Sequence, residues 1–94
     1  KYVNIIRARA GVSEYVSTDM TATNLLDERA RELYWECTRR TDLVRFNRFI
    51  DGYNWNWKGG TYNGGMLDQH RNVFPLPSNV MAIYGSEMIQ NTGY

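Results

Sequence analysis

Hydrophobic positions in the first fifty residues recur every three to four residues, which is the period of an α-helix and not of a strand. Over residues 2–10, Tyr2, Ile5 and Ile6 share one helical face. Gly11 follows at the position where a glycine commonly ends a helix. No capping side chain precedes this segment. We therefore expect a helix over residues 2–10 that continues upstream in a longer protein.

The second helical segment carries the strongest pattern of the chain. Thr21 is placed to cap it, and Met20 and Leu25 are spaced as a hydrophobic staple around that cap. We predict a helix over residues 21–39 on this basis. Its apolar stripe has spacings of four, three and four residues and consists of Leu26, Ala30, Leu33 and Cys37. The cysteine is accordingly expected to be a small hydrophobic residue of the core.

A shorter helix is predicted over residues 42–50. Thr41 or Asp42 can cap its start, and Gly52 stands just beyond its end. The apolar positions are again three to four residues apart, which excludes a strand. They are Leu43, Phe46, Phe49 and Ile50.

Beyond Gly52 the periodic pattern is lost, and glycine, asparagine and aromatic residues dominate. Two prolines force an extended segment over residues 74–77, and Ser78 can cap one further helical turn. Loops of this length are normally functional or packed onto other structure. The predicted fold class is therefore mostly α, with helices followed by a long irregular wrap that is rich in aromatic residues and glycine.

Composition and net charge exclude several classes of protein to which this chain could otherwise belong. A chain of 94 residues forms at most one domain of ordinary size. A net charge of +1 removes the electrostatic basis for binding nucleic acid. A single cysteine cannot form an internal disulfide, and no apolar run approaches the length of a membrane span.

Residues that could carry catalysis or hold a metal are few. Cys37 and His70 are the only cysteine and the only histidine, and they lie far apart in the sequence, so neither a zinc site nor a thiol nucleophile is expected. The glycines around Lys58 lack the spacing of a phosphate-binding loop. Glu28, Glu32 and Glu36 share a helix face with arginines between them, which favours ion pairs over a catalytic carboxylate pair. We expect no catalytic residue, no metal and no cofactor.

An aromatic run remains as the candidate ligand-binding feature. It consists of Tyr53, Trp55, Trp57 and Tyr62, interleaved with asparagines. Flat rings beside amides suit a sugar-binding surface, because rings stack on apolar sugar faces and amides bond to hydroxyl groups. The same composition suits an irregular segment that packs through large side chains. The sequence leaves both interpretations open.

Three strings in a fixed order are more specific than any of these features. They are Asp27-Glu-Arg-Ala-Arg-Glu-Leu33, Trp55-Asn-Trp-Lys-Gly-Gly60 and Gln90-Asn-Thr-Gly-Tyr94. Together they resemble the C-terminal region of the SusD/RagB family, over essentially the whole chain. The resemblance implies that residues 1–94 are one C-terminal region of a larger protein, built on a helical scaffold of tetratricopeptide type.

The family resemblance also implies a function. Such proteins bind oligosaccharides or other nutrients at the cell surface, are anchored in the outer membrane by an N-terminal lipid, and work with a SusC-like TonB-dependent transporter. They are binding proteins and not enzymes. Most of their ligand-binding residues lie upstream of this region. Since the Trp-x-Trp-Lys-Gly-Gly string is shared by the family, the resemblance favours a scaffold role for Trp55 and Trp57.

The charged residues of the helical segments are expected to hold the scaffold together. The planar, five-donor guanidinium of arginine is well suited to join helices and loops. We expect structural ion pairs or loop anchors at Glu28, Arg29, Glu32, Arg39 and Asp42. An alternative function is an independent α-helical interaction module that uses the aromatic loop 53–62 to bind a protein partner.

Overall fold

The computed structural model describes residues 1–94 and contains four α-helices and no β-strand, which confirms the mostly α fold class. The chain divides into two compact units, residues 1–46 and residues 47–94, and each is described by itself. None of the helices combines the length and the apolar character that crossing a membrane requires. The helices are α1 (Tyr2–Arg9), α2 (Ala22–Glu32), α3 (Arg39–Arg45) and α4 (Ser78–Tyr84).

Helix α1 closely matches the segment predicted over residues 2–10. Its end is closed by the N–H of Gly11, which donates to the carbonyl of Ala8 at 3.1 Å, and by the N–H of Val12, which donates to Arg7 at 3.0 Å. This pair of bonds is the Schellman arrangement, and Gly11 has the positive φ of 71° that it requires. The predicted end of the helix at this glycine is confirmed.

The predicted start of the second helix is also confirmed. The hydroxyl of Thr21 accepts a hydrogen bond from the N–H of Asn24 at 3.1 Å, as an N-cap residue does. Leu26, from the predicted stripe, is fully buried. The start of α2 is thus set by local side-chain chemistry that is legible in the sequence.

The predicted end of the second helix at residue 39 is wrong, because α2 ends at Glu32. The next residues form a turn in which Trp35 and Cys37 have positive φ values of 68° and 58°. Four of the five residues 34–38, namely tyrosine, tryptophan, cysteine and threonine, have lower helix propensity than alanine, leucine or glutamate. Cys37 is consequently exposed and does not belong to the core.

The third helix is displaced from its predicted position. Helix α3 begins at Arg39 and ends at Arg45, so the prediction of a helix over residues 42–50 is wrong at both ends. Neither Thr41 nor Asp42 caps it; Asp42 lies within the helix, and its buried carboxylate binds a guanidinium of α2 instead. Asn47 has a positive φ of 54°, which ends the helical backbone before the remaining apolar positions.

Ion pairs hold the first unit together, as the sequence predicts. Arg29 donates to both carboxylate oxygens of Asp42, at 3.0 and 2.9 Å, and joins α2 to α3. Arg39 donates to the backbone carbonyl of Leu26 at 2.8 Å. The further salt bridges are Arg7–Glu28, Arg31–Glu28, Arg9–Glu32 and Arg39–Asp27.

Glu28 is the centre of this network and is buried. Arg31 and Arg7 each approach the same carboxylate oxygen at 2.7 Å. The hydrogen bond from Arg31 lowers the pKa of Glu28, and the bond from Arg7 adds to this against the opposing effect of burial. Arg7 also lies 3.9 Å from the ring centre of Tyr15, so the guanidinium is enclosed between an acid and an aromatic face.

In the second unit, residues 51–94 form the irregular wrap that the sequence predicts, interrupted by α4 and three short 3₁₀ turns. Helix α4 is longer than the single turn expected. The predicted cap at Ser78 is wrong, because Pro77 occupies the N-cap position and Ser78 is the first helical residue. A proline with φ near −58° suits the residue that enters a helix.

The chain end is fastened to the extended proline segment by a C-terminal clip, which we define as Gln90, Asn91 and Tyr94. The amide of Gln90 accepts from the N–H of Leu76 at 2.7 Å and donates to its carbonyl at 2.9 Å. Asn91 donates to the carbonyl of Phe74 at 2.8 Å, and the Tyr94 hydroxyl donates to Val73 at 2.8 Å. These side chains satisfy backbone groups that the extended segment leaves without partners of its own.

Candidate ligand-binding surface

The candidate site is the aromatic loop, residues 53–62, and Lys58 is its buried centre. Only 3% of Lys58 is exposed. Its ammonium group donates to the carbonyl of Tyr53 at 2.6 Å and lies 4.8 Å from the ring centre of Trp55. A buried cation needs such partners, because removing its charge from water without them is costly. The loop is therefore packed around the buried side chain of Lys58.

Trp55 belongs to the packed part of the loop. Its ring stacks on Phe49 with a distance of 6.4 Å between ring centres and an angle of 29°. Lys58 lies over the same tryptophan. Only 37% of Trp55 is exposed, which is much less than for the aromatic residues further along the loop. This environment is that of a residue that stabilises the loop.

Trp57 and Tyr62 form the exposed part of the loop. Their rings meet edge to face, with 5.6 Å between centres and an angle of 87°. The N–H of Trp57 also donates to the carbonyl of Tyr62 at 3.2 Å, so backbone and side chains join the same two residues. Trp57 is 64% exposed and Tyr62 66% exposed. The pair therefore presents aromatic surface to solvent from a fixed position.

Close packing behind the loop restricts its backbone. The Asn54 amide donates to the carbonyl of Asn63 at 2.8 Å and ties the two ends of the loop together. Gly64 lies so close that a Cβ there would be 2.2 Å from the Asn54 side-chain oxygen and 2.3 Å from the Trp55 carbonyl oxygen. Only glycine fits this position, which also has a positive φ of 74°.

Several cavities lie beside these elements. One, of about 370 Å³, adjoins the aromatic loop and is lined by Asp51, Tyr53 and Lys58 among others. A larger one, of about 610 Å³, lies in the first unit beside α2 and includes Glu28 and Asp42 in its wall. The acids of the larger cavity are already bound to arginines, so they serve the ion-pair network.

Comparison with known proteins decides the family. The family model described as "SusD family" matches residues 1–94, which is the whole chain. The chain belongs to the SusD family. It is also 42% identical over 93 residues to "Starch-binding protein SusD" of Bacteroides thetaiotaomicron. That alignment covers 98% of this chain and 16% of the relative, so the chain spans about one sixth of the relative's length.

Membership of the SusD family confirms the resemblance drawn from the three sequence strings. The structure brings the four aromatic residues proposed from the sequence into one loop, but it gives them different surroundings. Trp55 is packed against Phe49, and Tyr53 supplies a carbonyl to Lys58 and is half-buried. Trp57 and Tyr62 make the exposed pair.

Sequence reasoning missed the role of Lys58 in this SusD-family loop. The neighbouring glycines raise only the question of phosphate binding, whereas the lysine side chain is buried and organises the aromatic residues. The sequence signal that could have indicated this role is a lysine that lies next to tryptophans and is followed by two glycines. Gly59 and Gly60, which follow the lysine, both have positive φ and permit the turn that brings Tyr62 back to Trp57.

Proposed function

We propose that this SusD-family chain is the C-terminal region of a non-enzymatic lipoprotein that binds an oligosaccharide or another nutrient at the cell surface. The observation that carries the proposal is the 42% identity, over nearly the whole chain, to a protein named for starch binding. Sequences this similar share a fold, and the shared segment includes the aromatic loop. Starch is accordingly the first ligand to test.

The larger protein is proposed to sit in the outer membrane through a lipid anchor and to deliver its ligand to a SusC-like TonB-dependent transporter. Within it, this chain contributes structural scaffold. The ion pairs around Glu28 and the link from Arg29 to Asp42 support that role, because they fasten helices without leaving a free reactive group. The exposed apolar residues Tyr2 and Ile5 of α1 offer surface on which further helices could pack.

One experiment on the full-length protein distinguishes binding of a polysaccharide from its hydrolysis. Calorimetric titration with soluble starch, inulin and xylan measures affinity, and chromatography of the same mixtures after prolonged incubation measures products. We expect saturable binding to at least one of these polysaccharides and no shortening of the chains. Saturable binding accompanied by hydrolysis would contradict the non-enzymatic assignment, and no binding to any of them would contradict glycan binding.

The transporter assignment has its own test. The full-length protein, purified from its native membrane in mild detergent, is expected to carry a TonB-dependent transporter with it in a constant ratio. A protein that purifies without such a partner would contradict this part of the proposal. The alternative, an independent interaction module, predicts instead that isolated residues 1–94 form a monomer with protected amides and retain a partner of their own.

A further inference from the structure

We propose that Trp57 and Tyr62 form a carbohydrate contact, in which an aromatic ring stacks on the apolar face of a hexopyranose unit of an oligosaccharide. This inference rests on the proposed glycan-binding function and adds a specific site to it. The site consists of the two rings and the loop that holds them. Trp55, in the same loop, keeps the scaffold role that the shared family string favours, whereas the 64% exposure of Trp57 departs from that expectation.

The geometry of the pair leaves most of its aromatic surface open. In an edge-to-face contact at 87°, one ring covers a single face of the other and keeps both of its own faces free of the contact. Three of the four ring faces are therefore not covered by the pair itself. Exposures of 64% and 66% agree with this geometry, whereas Trp55 at 37% is stacked on Phe49.

The pair is also held in place before any ligand arrives. The bond from the N–H of Trp57 to the carbonyl of Tyr62 fixes the spacing of the two residues. Trp57 has a positive φ of 69°, a conformation that costs energy for a side chain of this size and is maintained by the surrounding loop. A surface ordered in advance loses little conformational entropy on binding, which favours affinity.

The chemistry around the rings suits a neutral, hydroxyl-rich ligand. Asn56 precedes Trp57, Asn63 follows Tyr62, and both asparagines are exposed, so amide groups flank the rings. An amide can donate to one hydroxyl group and accept from another. A single-stranded nucleic acid would also stack on aromatic rings, but it needs accessible cations, and the only cation of the loop, Lys58, is buried.

Site-directed variants of the full-length protein test this site, with soluble starch as the probe. Trp57→Ala and Tyr62→Ala each remove one ring. Trp35→Ala is the matched control, because Trp35 is 85% exposed, has a similar positive φ of 68° and lies outside the loop. Affinity is measured by calorimetry, and the melting temperature of each variant is measured in parallel.

We expect Trp57→Ala and Tyr62→Ala to weaken starch binding about tenfold or to abolish it, with a melting temperature close to that of the wild type. Trp35→Ala should bind as the wild type does. Wild-type affinity in both loop variants would overturn the site while leaving the proposed function intact. A wild-type protein that binds no starch, inulin or xylan would overturn the glycan-binding part of the proposed function, and the site with it. Loss of a protein partner with unchanged starch affinity would overturn the carbohydrate assignment.

If either alanine variant unfolds, the starch affinity of Trp57→Phe and Tyr62→Phe still tests the site. Both retain a ring and its packing, and the tyrosine variant loses only a hydroxyl group. Stacking predicts that Tyr62→Phe binds starch nearly as well as the wild type and that Trp57→Phe binds more weakly, because its ring is smaller. Equal, wild-type affinity in every folded variant would overturn the proposal.

Discussion

Arg29 and Asp42 are joined by two parallel hydrogen bonds, one from Nε at 3.0 Å and one from Nη2 at 2.9 Å. The carboxylate is almost completely buried, whereas the guanidinium is partly exposed. A two-bond arrangement of this kind fixes orientation as well as distance. It explains why α3 follows α2 so closely despite the irregular turn between them.

Removing the acid of this pair should destabilise the protein. We expect Asp42→Ala to lower the free energy of unfolding by about 2 kcal/mol, because two charge-assisted hydrogen bonds are lost while water can solvate the partly exposed guanidinium of Arg29. Urea denaturation of the full-length protein measures this. Glu36→Ala is the control, since Glu36 is exposed and should change stability little. Equal effects in the two variants would contradict a structural role for the ion pair.

The Glu28 network should make stability depend on acid pH. Arginine neighbours lower the pKa of Glu28 below its ordinary value of 4.5. The charged carboxylate is therefore more stable in the folded state than in the unfolded state, and it contributes to the free energy of unfolding. This contribution is fully present above the ordinary value and is lost as the pH falls through the folded-state pKa. Glu28→Gln should therefore cost about 2 kcal/mol at pH 7 and less at pH 3. A loss that does not change with pH would contradict the role of the charge.

Alanine substitutions at two glycines of the second unit distinguish the cost of backbone strain from the cost of a steric clash. Gly60 has a positive φ of 80° with nothing within 4 Å of the place that an added Cβ would occupy, whereas Gly64 combines a positive φ with close contact to Asn54. We expect Gly60→Ala to cost about 1 kcal/mol and Gly64→Ala about 3 kcal/mol. Differential scanning calorimetry compares the two. A similar melting temperature for both variants would contradict the tight packing behind the aromatic loop.

The C-terminal clip can be tested by changing one atom. Gln90→Glu keeps the oxygen that accepts from the N–H of Leu76 but replaces the amide donor with an oxygen that faces the Leu76 carbonyl. We expect a loss of about 1–2 kcal/mol at pH 7. Below the pKa of the new carboxyl group, a proton restores the donor and part of the stability should return. Gln69→Glu, at an exposed position, should show no such recovery.

The sequence predicts those parts of the fold that depend on neighbouring residues. Thr21 caps α2 through a residue three positions away, and Gly11 ends α1 through bonds within one turn, so both are legible locally. The end of α2 is different, because its apolar spacing continues to Cys37 after the backbone has left the helix. Periodicity records only which residues are apolar, and it does not register the bond that draws Asp42 to Arg29.

The aromatic loop likewise has features that the sequence predicts and features that it does not. Its composition identifies it as a ligand-binding candidate, but Trp55 and Trp57 have the same chemistry and lie two residues apart. Their exposures differ: Phe49 and Lys58 cover the ring of Trp55, whereas the ring of Trp57 meets Tyr62 edge to face and is 64% exposed. That difference arises from a turn in which Trp57 has a positive φ, and nothing in a tryptophan signals such a conformation.

The most direct measurement is the protection of individual tryptophans from oxidation by N-bromosuccinimide in the full-length protein, read by mass spectrometry of the peptides. Trp57 and Trp35 are both exposed, so both should be oxidised readily in the absence of ligand. With starch at a concentration that calorimetry shows to be saturating, Trp57 should be protected and Trp35 should react as before. Equal oxidation of Trp57 with and without bound starch would contradict a carbohydrate contact in this chain.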